Sequence, residues 1–213
     1  MPIPSSPTDA ETTAVNEILM SVGQAPVTKL ENTNPDVALA YETLISVSKE
    51  VQAEGWTFNK EYNNTSFRPE ADSTKADYQK IKVDRKEILQ IDLSNNPSNA
   101  GKDSVLRGDY VYDRQNHTYL WDYAPTFDVL RQLKWGELPV PVRDYVVARA
   151  STIFSSRIVG DPTQYQLLKQ KEEYNRAMAM EYECNQGDYT FFGHPEGGNF
   201  YVSYQPYNAI YRH

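Results

Sequence analysis

The chain has 213 residues, of which 39% are hydrophobic and 23% charged, and its formal net charge is −8. This length suits one domain, with or without a small inserted subdomain, and no run of about 18 apolar residues exists that would predict membrane insertion. Acidic chains bind duplex phosphates poorly, and the single cysteine, Cys184, excludes an intrachain disulfide and a cysteine-rich metal site. We therefore expect neither a metal nor a cofactor.

Two helices are predicted at the start of the chain. The first spans residues 9–22, where a capping box that begins at Thr8 precedes apolar residues at helical spacing. Gly23 supplies the left-handed residue that commonly ends a helix. The second helix is expected to begin at Asn34, which precedes a proline, and to end at Gly55.

The hydrophobic pattern then alternates, which is typical of β-strands. Strands are predicted over residues 87–93, 105–113 and 118–122, with a polar turn at 115–117. Alternation predicts which side chains share a face: Leu89, Ile91 and Leu93 in the first strand, and Tyr110 with Tyr112, opposite Val111, in the second. We expect a small antiparallel unit of about four to six strands.

Several residues in and around this unit have simple structural interpretations. The segment 94–101 has no apolar side chain larger than alanine and is expected to be an exposed loop. Trp56 and Phe58 are interpreted as core residues. His117 and His194 are expected on the surface, and Cys184 as a buried or half-buried small hydrophobe.

Helical periodicity returns after Pro139. The third helix is predicted to end at Gly160, and Asp161 with the following proline begins the fourth. The fourth helix has a narrow apolar face, formed by Leu167, Leu168, Tyr174, Met178 and Tyr182. Its charges are spaced for i,i+4 pairs, Lys169 with Glu173 and Glu172 with Arg176. A long helix with so thin an apolar face is expected to be partly exposed in the monomer or covered by a partner.

Residues 188–213 form an aromatic C-terminal segment. They include eight aromatic side chains: Tyr189, Phe191, Phe192, Phe200, Tyr201, Tyr204, Tyr207 and Tyr211. Disordered tails are poor in such residues, because each exposed ring forgoes about 2–4 kcal/mol of burial. The segment is therefore expected to dock, either around its own domain or as an arm on a neighbouring protomer or partner.

The predicted architecture is α+β. It is a four-helix bundle, interrupted between the second and third helices by a small antiparallel β subdomain and followed by an extended aromatic arm. The expected boundaries are residues 1–55 and 136–187 for the two halves of the bundle, 56–135 for the β subdomain and 188–213 for the arm.

Enzymatic function finds little support in the sequence. The motifs of serine hydrolases, zinc proteases and phosphate-binding loops do not occur. Paired carboxylates such as Asp109 with Asp113, or Glu172 with Glu173, arise by chance in a chain with 29 acidic residues. The alternative to a structural role is a glycan-degrading hydrolase that uses a carboxylate pair, which would need two carboxylates about 5–9.5 Å apart beside a cleft.

A set of short segments resembles a known family. The segments are residues 14–19 (AVNEIL), 21–23 (SVG), 26–27 (PV), 55–59 (GWTFN), 110–114 (YVYDR) and 180–183 (MEYE). Together, and in this order over residues 12–190, they resemble the tail tubular protein A family, the adaptor or gatekeeper proteins of short-tailed, T7-like bacteriophages.

The resemblance implies a structural protein of the virion tail that is not an enzyme. Such a protein forms a dodecameric ring between the portal protein and the tail nozzle (tail tubular protein B), and tail fibres attach near the nozzle junction. Double-stranded DNA passes through the bore without sequence-specific binding. The loop 94–101, interpreted above as a solvated connector, is in the alternative a contact for the nozzle or a fibre.

Two groups of residues are candidates for contacts in such an assembly. The eight aromatic residues of the arm, together with Tyr174, Met178 and Tyr182, are the candidate interface with a partner or protomer. Residues 1–55 carry eight acidic and two basic side chains, and an acidic bore would leave DNA mobile. Glu42, Glu50 and Glu54 are therefore predicted to face the channel or a basic surface of the portal.

Overall fold

The structure, a computed structural model, describes residues 9–31, 33–76, 78–99 and 101–187. Four helices form in these residues: α1 (Asp9–Met20), α2 (Pro35–Ala53), α3 (Val140–Ile158) and α4 (Pro162–Gly187). The same residues contain five strands: β1 (Lys60–Asn64), β2 (Ile88–Leu93), β3 (Ser104–Arg107), β4 (Tyr110–Asp113) and β5 (Phe127–Arg131). All strand pairs are antiparallel, in one sheet of order β1-β5-β2 and one β3-β4 hairpin. The predicted α+β class is confirmed.

The helix ends follow their capping residues. α1 ends two residues earlier than predicted, and Gly23, with φ of +78°, lies in the turn that closes it. Asn34 caps α2, since its side-chain oxygen accepts a hydrogen bond of 3.0 Å from the amide of Asp36. The amide of Thr163 bonds in the same way to the Asp161 carboxylate at the start of α4. Thr8, the predicted cap of α1, lies outside the described residues.

The prediction of one continuous strand over residues 105–113 is wrong. Arg107 lies opposite Tyr110 in the register of β3 and β4, so that Gly108 and Asp109 form a two-residue turn between them. Gly108 has φ of +61°, which a glycine at the first position of such a turn adopts without strain. An alternating pattern continues across a two-residue turn, and therefore did not reveal it.

The predicted strand over residues 118–122 is also wrong. Thr118 and Leu120 make only isolated bridges, to Asp113 and Lys80 respectively. The polar turn before it is confirmed. His117 lies in this turn with φ of +54° and is exposed, as predicted.

β2 contains an irregularity that changes which residues share a face. Ile88 pairs with Arg131 and Gln90 pairs with Leu130, so Leu89 is an extra residue in the strand. Ile88 and Ile91 are consequently buried, whereas Leu89 is only half-buried. The prediction that Leu89 lies on the same face as Ile91 is therefore wrong.

Two apolar clusters form the interior. The helical cluster joins α1, α2 and α3 with Trp56, Trp135 and Leu138, and α4 adds Ala179 to it. The β cluster comprises Ile81, Val83, Ile88, Ile91, Val111, Trp121, Phe127 and Val129. Trp56 is buried, as predicted, and Phe58 is half-buried with its ring stacked 6.2 Å from that of Trp56.

A polar network joins α2 to the segment that returns from the β subdomain. The buried Gln52 side chain donates to the carbonyl of Leu133 at 3.2 Å and accepts from the amide of Leu133 at 2.7 Å. Asn59 donates to the carbonyls of Gln52 and Arg131 at 2.9 and 3.0 Å. These bonds join the segment that enters the β subdomain to the segment that leaves it, and they therefore fix the β subdomain at the end of the bundle.

The prediction that segment 94–101 is an exposed loop is wrong at two positions. Ser94 and Asn99 are buried. The Asn99 amide donates to the carbonyls of Ser94 and Thr126, both at 2.9 Å. Hydrogen bonds to the backbone thus anchor a segment that has no large apolar side chain.

Among the described residues, no helix is both long enough and apolar enough to cross a bilayer.

Candidate assembly surface

α4 packs along α3 but presents apolar side chains on its outer face. Among its described side chains only Ala179 and Glu172 are buried. Leu167, Tyr174 and Met178 are 64%, 66% and 41% exposed. Their spacing of seven and four residues places them on one face of the helix, over about 16 Å. This set is called the α4 stripe below, and its exposure confirms the prediction of a partly exposed fourth helix.

Polar contacts attach both ends of α4 to the rest of the chain. Near its start, the Gln164 side chain donates to the carbonyl of Ser21, at the end of α1. Near its end, the Glu183 carboxylate accepts from the Thr57 amide at 2.8 Å and from the Thr57 hydroxyl at 2.9 Å. The helix is thus connected to the bundle and to the start of the β subdomain, and its stripe faces outward.

The predicted i,i+4 ion pairs on α4 are wrong. Lys169 pairs with Glu172 at 2.7 Å, and this hydrogen bond raises the pKa of Lys169. Arg176 instead pairs with Glu54 on α2 at 3.4 Å. Glu172 is buried, so the lysine one turn away on the same side is its partner, while Arg176 lies close enough to α2 for a contact between helices.

The acidic residues proposed for the channel or the portal lie on or just after α2. Glu50 pairs with Arg149 at 2.9 Å, and Glu54 lies 3.8 Å from the same guanidinium. Arg176 approaches Glu54 from α4. Glu42 is exposed on α2. The charges of Glu50 and Glu54 are therefore partly compensated within their own chain.

Tyr145 is the centre of this charged network, and sequence reasoning did not assign it that role. Its ring is fully buried, and its hydroxyl accepts from Arg149 at 3.2 Å and from Arg176 at 3.1 Å. The hydrogen bond to Tyr145, assisted by Glu50, raises the pKa of Arg149. The tyrosine itself could have indicated this role from the sequence, because a buried hydroxyl in a helix core needs a hydrogen-bond partner.

The outer face of the β3-β4 hairpin carries aromatic and cationic side chains. Val111 is buried while Tyr110 and Tyr112 are half-buried on the opposite face, as alternation predicted. The Arg107 guanidinium lies 3.9 Å from the centre of the Tyr112 ring, and the Tyr119 ring meets Tyr112 edge-on at 4.8 Å. Stacking of this kind holds the rings in fixed positions at the surface.

The carboxylate pairs named from the sequence do not form a catalytic arrangement. Burial alone would raise the pKa of Asp113, but hydrogen bonds from the amides of Asn116 and Gln115, together with Lys102, lower it. A general acid needs the opposite shift. In the other pair, Glu172 is bound to Lys169 and Glu173 is exposed.

A groove beside the three-stranded sheet brings together acids that sequence reasoning did not pair. It encloses about 320 Å³ and is lined by Asp92, Asp128, Glu61 and Tyr62, among others. Asp92 and Asp128 lie directly opposite each other on β2 and β5. Asp128 accepts hydrogen bonds from Ser94 and from the Asn63 amide. Only the pairing of the strands reveals that they are neighbours, because the two aspartates lie 36 positions apart in the chain.

In the part of the chain that the structure describes, the remaining chemically distinctive residues offer no metal centre. Within the described ranges, His, Cys, Asp and Glu side chains form no group of three or more that could hold a metal ion. Cys184 is exposed, so the prediction that it is at least half-buried is wrong. It follows Ala179 by five residues, and this rotation of about 140° turns its side chain away from α3. His194 lies outside the described residues.

The predicted C-terminal arm also lies outside the described residues. This applies to residues 188–213 and to all eight of their aromatic side chains. Of the other residues proposed for an interface, Tyr174 and Met178 are exposed and Tyr182 is half-buried.

A comparison with models of known protein families gave a match. The sequence matches the family described as "Tube: Tail tubular protein" over residues 12–189. A comparison with curated proteins found no match. The family match includes all four helices except the first three residues of α1, and it includes the whole β subdomain.

Proposed function

The chain belongs to the tail tubular protein family and is a structural component of the phage virion tail, and from this premise we propose that it is the ring-forming adaptor that joins the portal to the tail nozzle. Twelve copies would surround a bore through which double-stranded DNA leaves the virion. The protein acts by assembly and performs no reaction.

The observation that carries this proposal is the exposure of the α4 stripe. Leu167, Tyr174 and Met178 expose apolar side chains to water along one face of a helix that is otherwise firmly attached. Exposed apolar patches of this kind mark interaction sites, and permanent interfaces bury about 2,000 Å² or more. We assign the stripe, Tyr182 and the aromatic arm to the contacts between protomers.

The acidic charge supports passage of DNA without retention. The net charge is −8, and phosphate binding requires lysine or arginine to displace counterions. Glu42, Glu50 and Glu54 are proposed to face the bore or a basic portal surface. Arg149 and Arg176 partly compensate Glu50 and Glu54 within the chain. Glu42 is exposed on α2 and serves as a probe of this orientation.

The adaptor has to contact a twelvefold portal and a sixfold nozzle, so part of its surface must bind in two non-equivalent ways. We assign the fixed portal contact to the helices and the arm, and the adaptable contact to the loops and the β subdomain. The exposed ring of Tyr119, which packs against Tyr112 of the β3-β4 hairpin, suits this role because aromatic side chains bind varied surfaces at small entropic cost. Tail fibres would attach near the nozzle junction.

Light scattering of the chain with and without portal tests the proposal. The chain has a mass of 24.4 kDa, and we expect portal complexes to gain the mass of twelve copies. The portal is included because it can template the ring, so a monomeric state of the free chain does not affect the test. A portal that binds no copies, or that binds only one or two, would refute the adaptor role.

A second function, glycan hydrolysis, is favoured by one observation, the opposed Asp92 and Asp128 in the groove. Hydrogen bonds from Ser94 and from the Asn63 amide hold the Asp128 carboxylate in place on β5, opposite Asp92. Turnover of cell-wall glycan that disappears in Asp92→Asn and in Asp128→Asn would establish this function. Absence of turnover in the wild-type chain would exclude it.

A further inference from the structure

The α4 stripe and the C-terminal segment are adjacent in the chain and complementary in chemistry. We propose that residues 188–213 of one copy lie on the α4 stripe of a neighbouring copy, so that Leu167, Tyr174 and Met178 form the receiving surface. This inference rests on the proposed ring, because it requires a neighbouring copy.

The composition of the segment fits this surface. It carries eight aromatic side chains but only two acidic and one basic residue. The stripe offers two aliphatic side chains and one tyrosine, all more than two-fifths exposed. Aromatic rings pack favourably on leucine, on methionine sulfur and on other rings. Burial on the stripe therefore removes apolar surface from water on both partners.

The reach of the segment is sufficient. It begins directly after α4, which ends at Gly187, and 26 extended residues span roughly 85 Å. The stripe itself is only about 16 Å long. The segment can therefore leave its own helix, cross to the next copy and still cover the stripe there.

The residues on the outer face of α4 favour docking of the segment on a neighbouring copy over docking on its own helix. Between Met178 and the end of α4, the exposed Glu181 and Asn185 continue this face, while Tyr182 at its edge is half-buried. A segment that reversed directly would lay its first rings, Tyr189 and Phe191, over these polar side chains. In a head-to-tail ring, each copy contributes one segment to a neighbour and receives one from the other neighbour. Every stripe is then covered when the ring closes.

Photo-crosslinking on assembled rings tests the contact. Benzoylphenylalanine would replace Tyr174 in the full-length chain, and isotopically heavy and light copies would be mixed before assembly on portal. Tyr165 is the matched control, since it is 43% exposed but lies nine residues earlier, half a turn away on the helix. We expect crosslinks between heavy and light copies to peptides from residues 188–213, at least tenfold more abundant from position 174 than from 165.

The outcomes separate this inference from the function on which it rests. Rings whose position-174 crosslinks stay within one copy, or reach other peptides, overturn the inference and leave the adaptor role intact. Failure to form rings on portal with the wild-type chain overturns the proposed function and this inference together.

A substitution series gives a second readout. The variant that combines Leu167→Glu, Tyr174→Glu and Met178→Glu is expected to weaken ring assembly at least tenfold, as should deletion of residues 188–213. The control combines Gln166→Glu, Gln170→Glu and Ala177→Glu, which add the same charge at exposed positions beside the stripe. Equal assembly by the stripe variant and this control, with unchanged helical circular dichroism in both, would overturn the contact.

Discussion

Replacement of Gln52 by methionine tests how the bundle holds the β subdomain. The Gln52 side chain is fully buried and makes two hydrogen bonds to the backbone of Leu133, of 3.2 and 2.7 Å, and a third of 3.1 Å to Ser48. Methionine preserves the shape of the side chain but removes these bonds. Each buried group left without a partner costs about 1–3 kcal/mol, so we expect a loss of about 3 kcal/mol in the free energy of unfolding.

Urea denaturation followed by circular dichroism measures this loss. With a slope of about 2–3 kcal/mol/M, the unfolding midpoint should fall by about 1–1.5 M. The control is Gln166→Met, at an exposed position on α4, where we expect a change within about 0.5 kcal/mol. A similarly small change for Gln52→Met would refute the conclusion that this network attaches the β subdomain to α2.

Three further predictions concern acidic residues. Asp113→Ala should lower the free energy of unfolding by about 1–3 kcal/mol at pH 7. Because the pKa of Asp113 is lowered in the folded state, this difference from wild type should shrink as pH falls below the ordinary pKa of 3.8. The control is Asp109→Ala, at an exposed position, which should have little effect on the free energy of unfolding. Glu183→Ala removes the hydrogen bonds from the Thr57 amide and hydroxyl, so amide hydrogen exchange should quicken at least tenfold in the last turns of α4. Equal exchange rates in this variant and in Glu181→Ala, at an exposed position, would contradict the attachment of α4 to Thr57. Glu42→Lys should slow DNA ejection from assembled particles or weaken binding to the portal, and the proposed orientation of α2 is wrong if neither measurement changes.

The helices were predictable because their determinants are local. Asn34 caps α2 as its position before a proline indicated, and Gly23 closes α1 with a positive φ. The apolar spacing of α4 also predicted its exposure, since a narrow apolar face can bury little. In each case the deciding residues lie within two turns of the feature that they determine.

The β subdomain was harder to predict because its details depend on pairing between strands. The extra residue at Leu89 is visible only in the register against β5, and the turn at Gly108 only when Arg107 and Tyr110 are seen to pair. Ser94 and Asn99 are buried through hydrogen bonds rather than apolar contact, which a hydrophobic pattern does not record.

On the candidate assembly surface, too, local features were predictable from the sequence and long-range contacts were not. The exposed Tyr174 and Met178 were named from helical spacing alone, whereas the partners of Arg176 and Glu54 were not, since these two side chains are 122 residues apart. Helical spacing places a side chain on a face of its own helix, but tertiary packing decides which other helix that face meets.

An image of the portal-bound assembly that resolves individual copies tests the central claim most directly. The account predicts twelve copies around one axis, with the α4 stripe of each copy, Leu167, Tyr174 and Met178, covered by the next. A portal-bound chain with no neighbouring copy in contact, and with this stripe open to solvent, would contradict it.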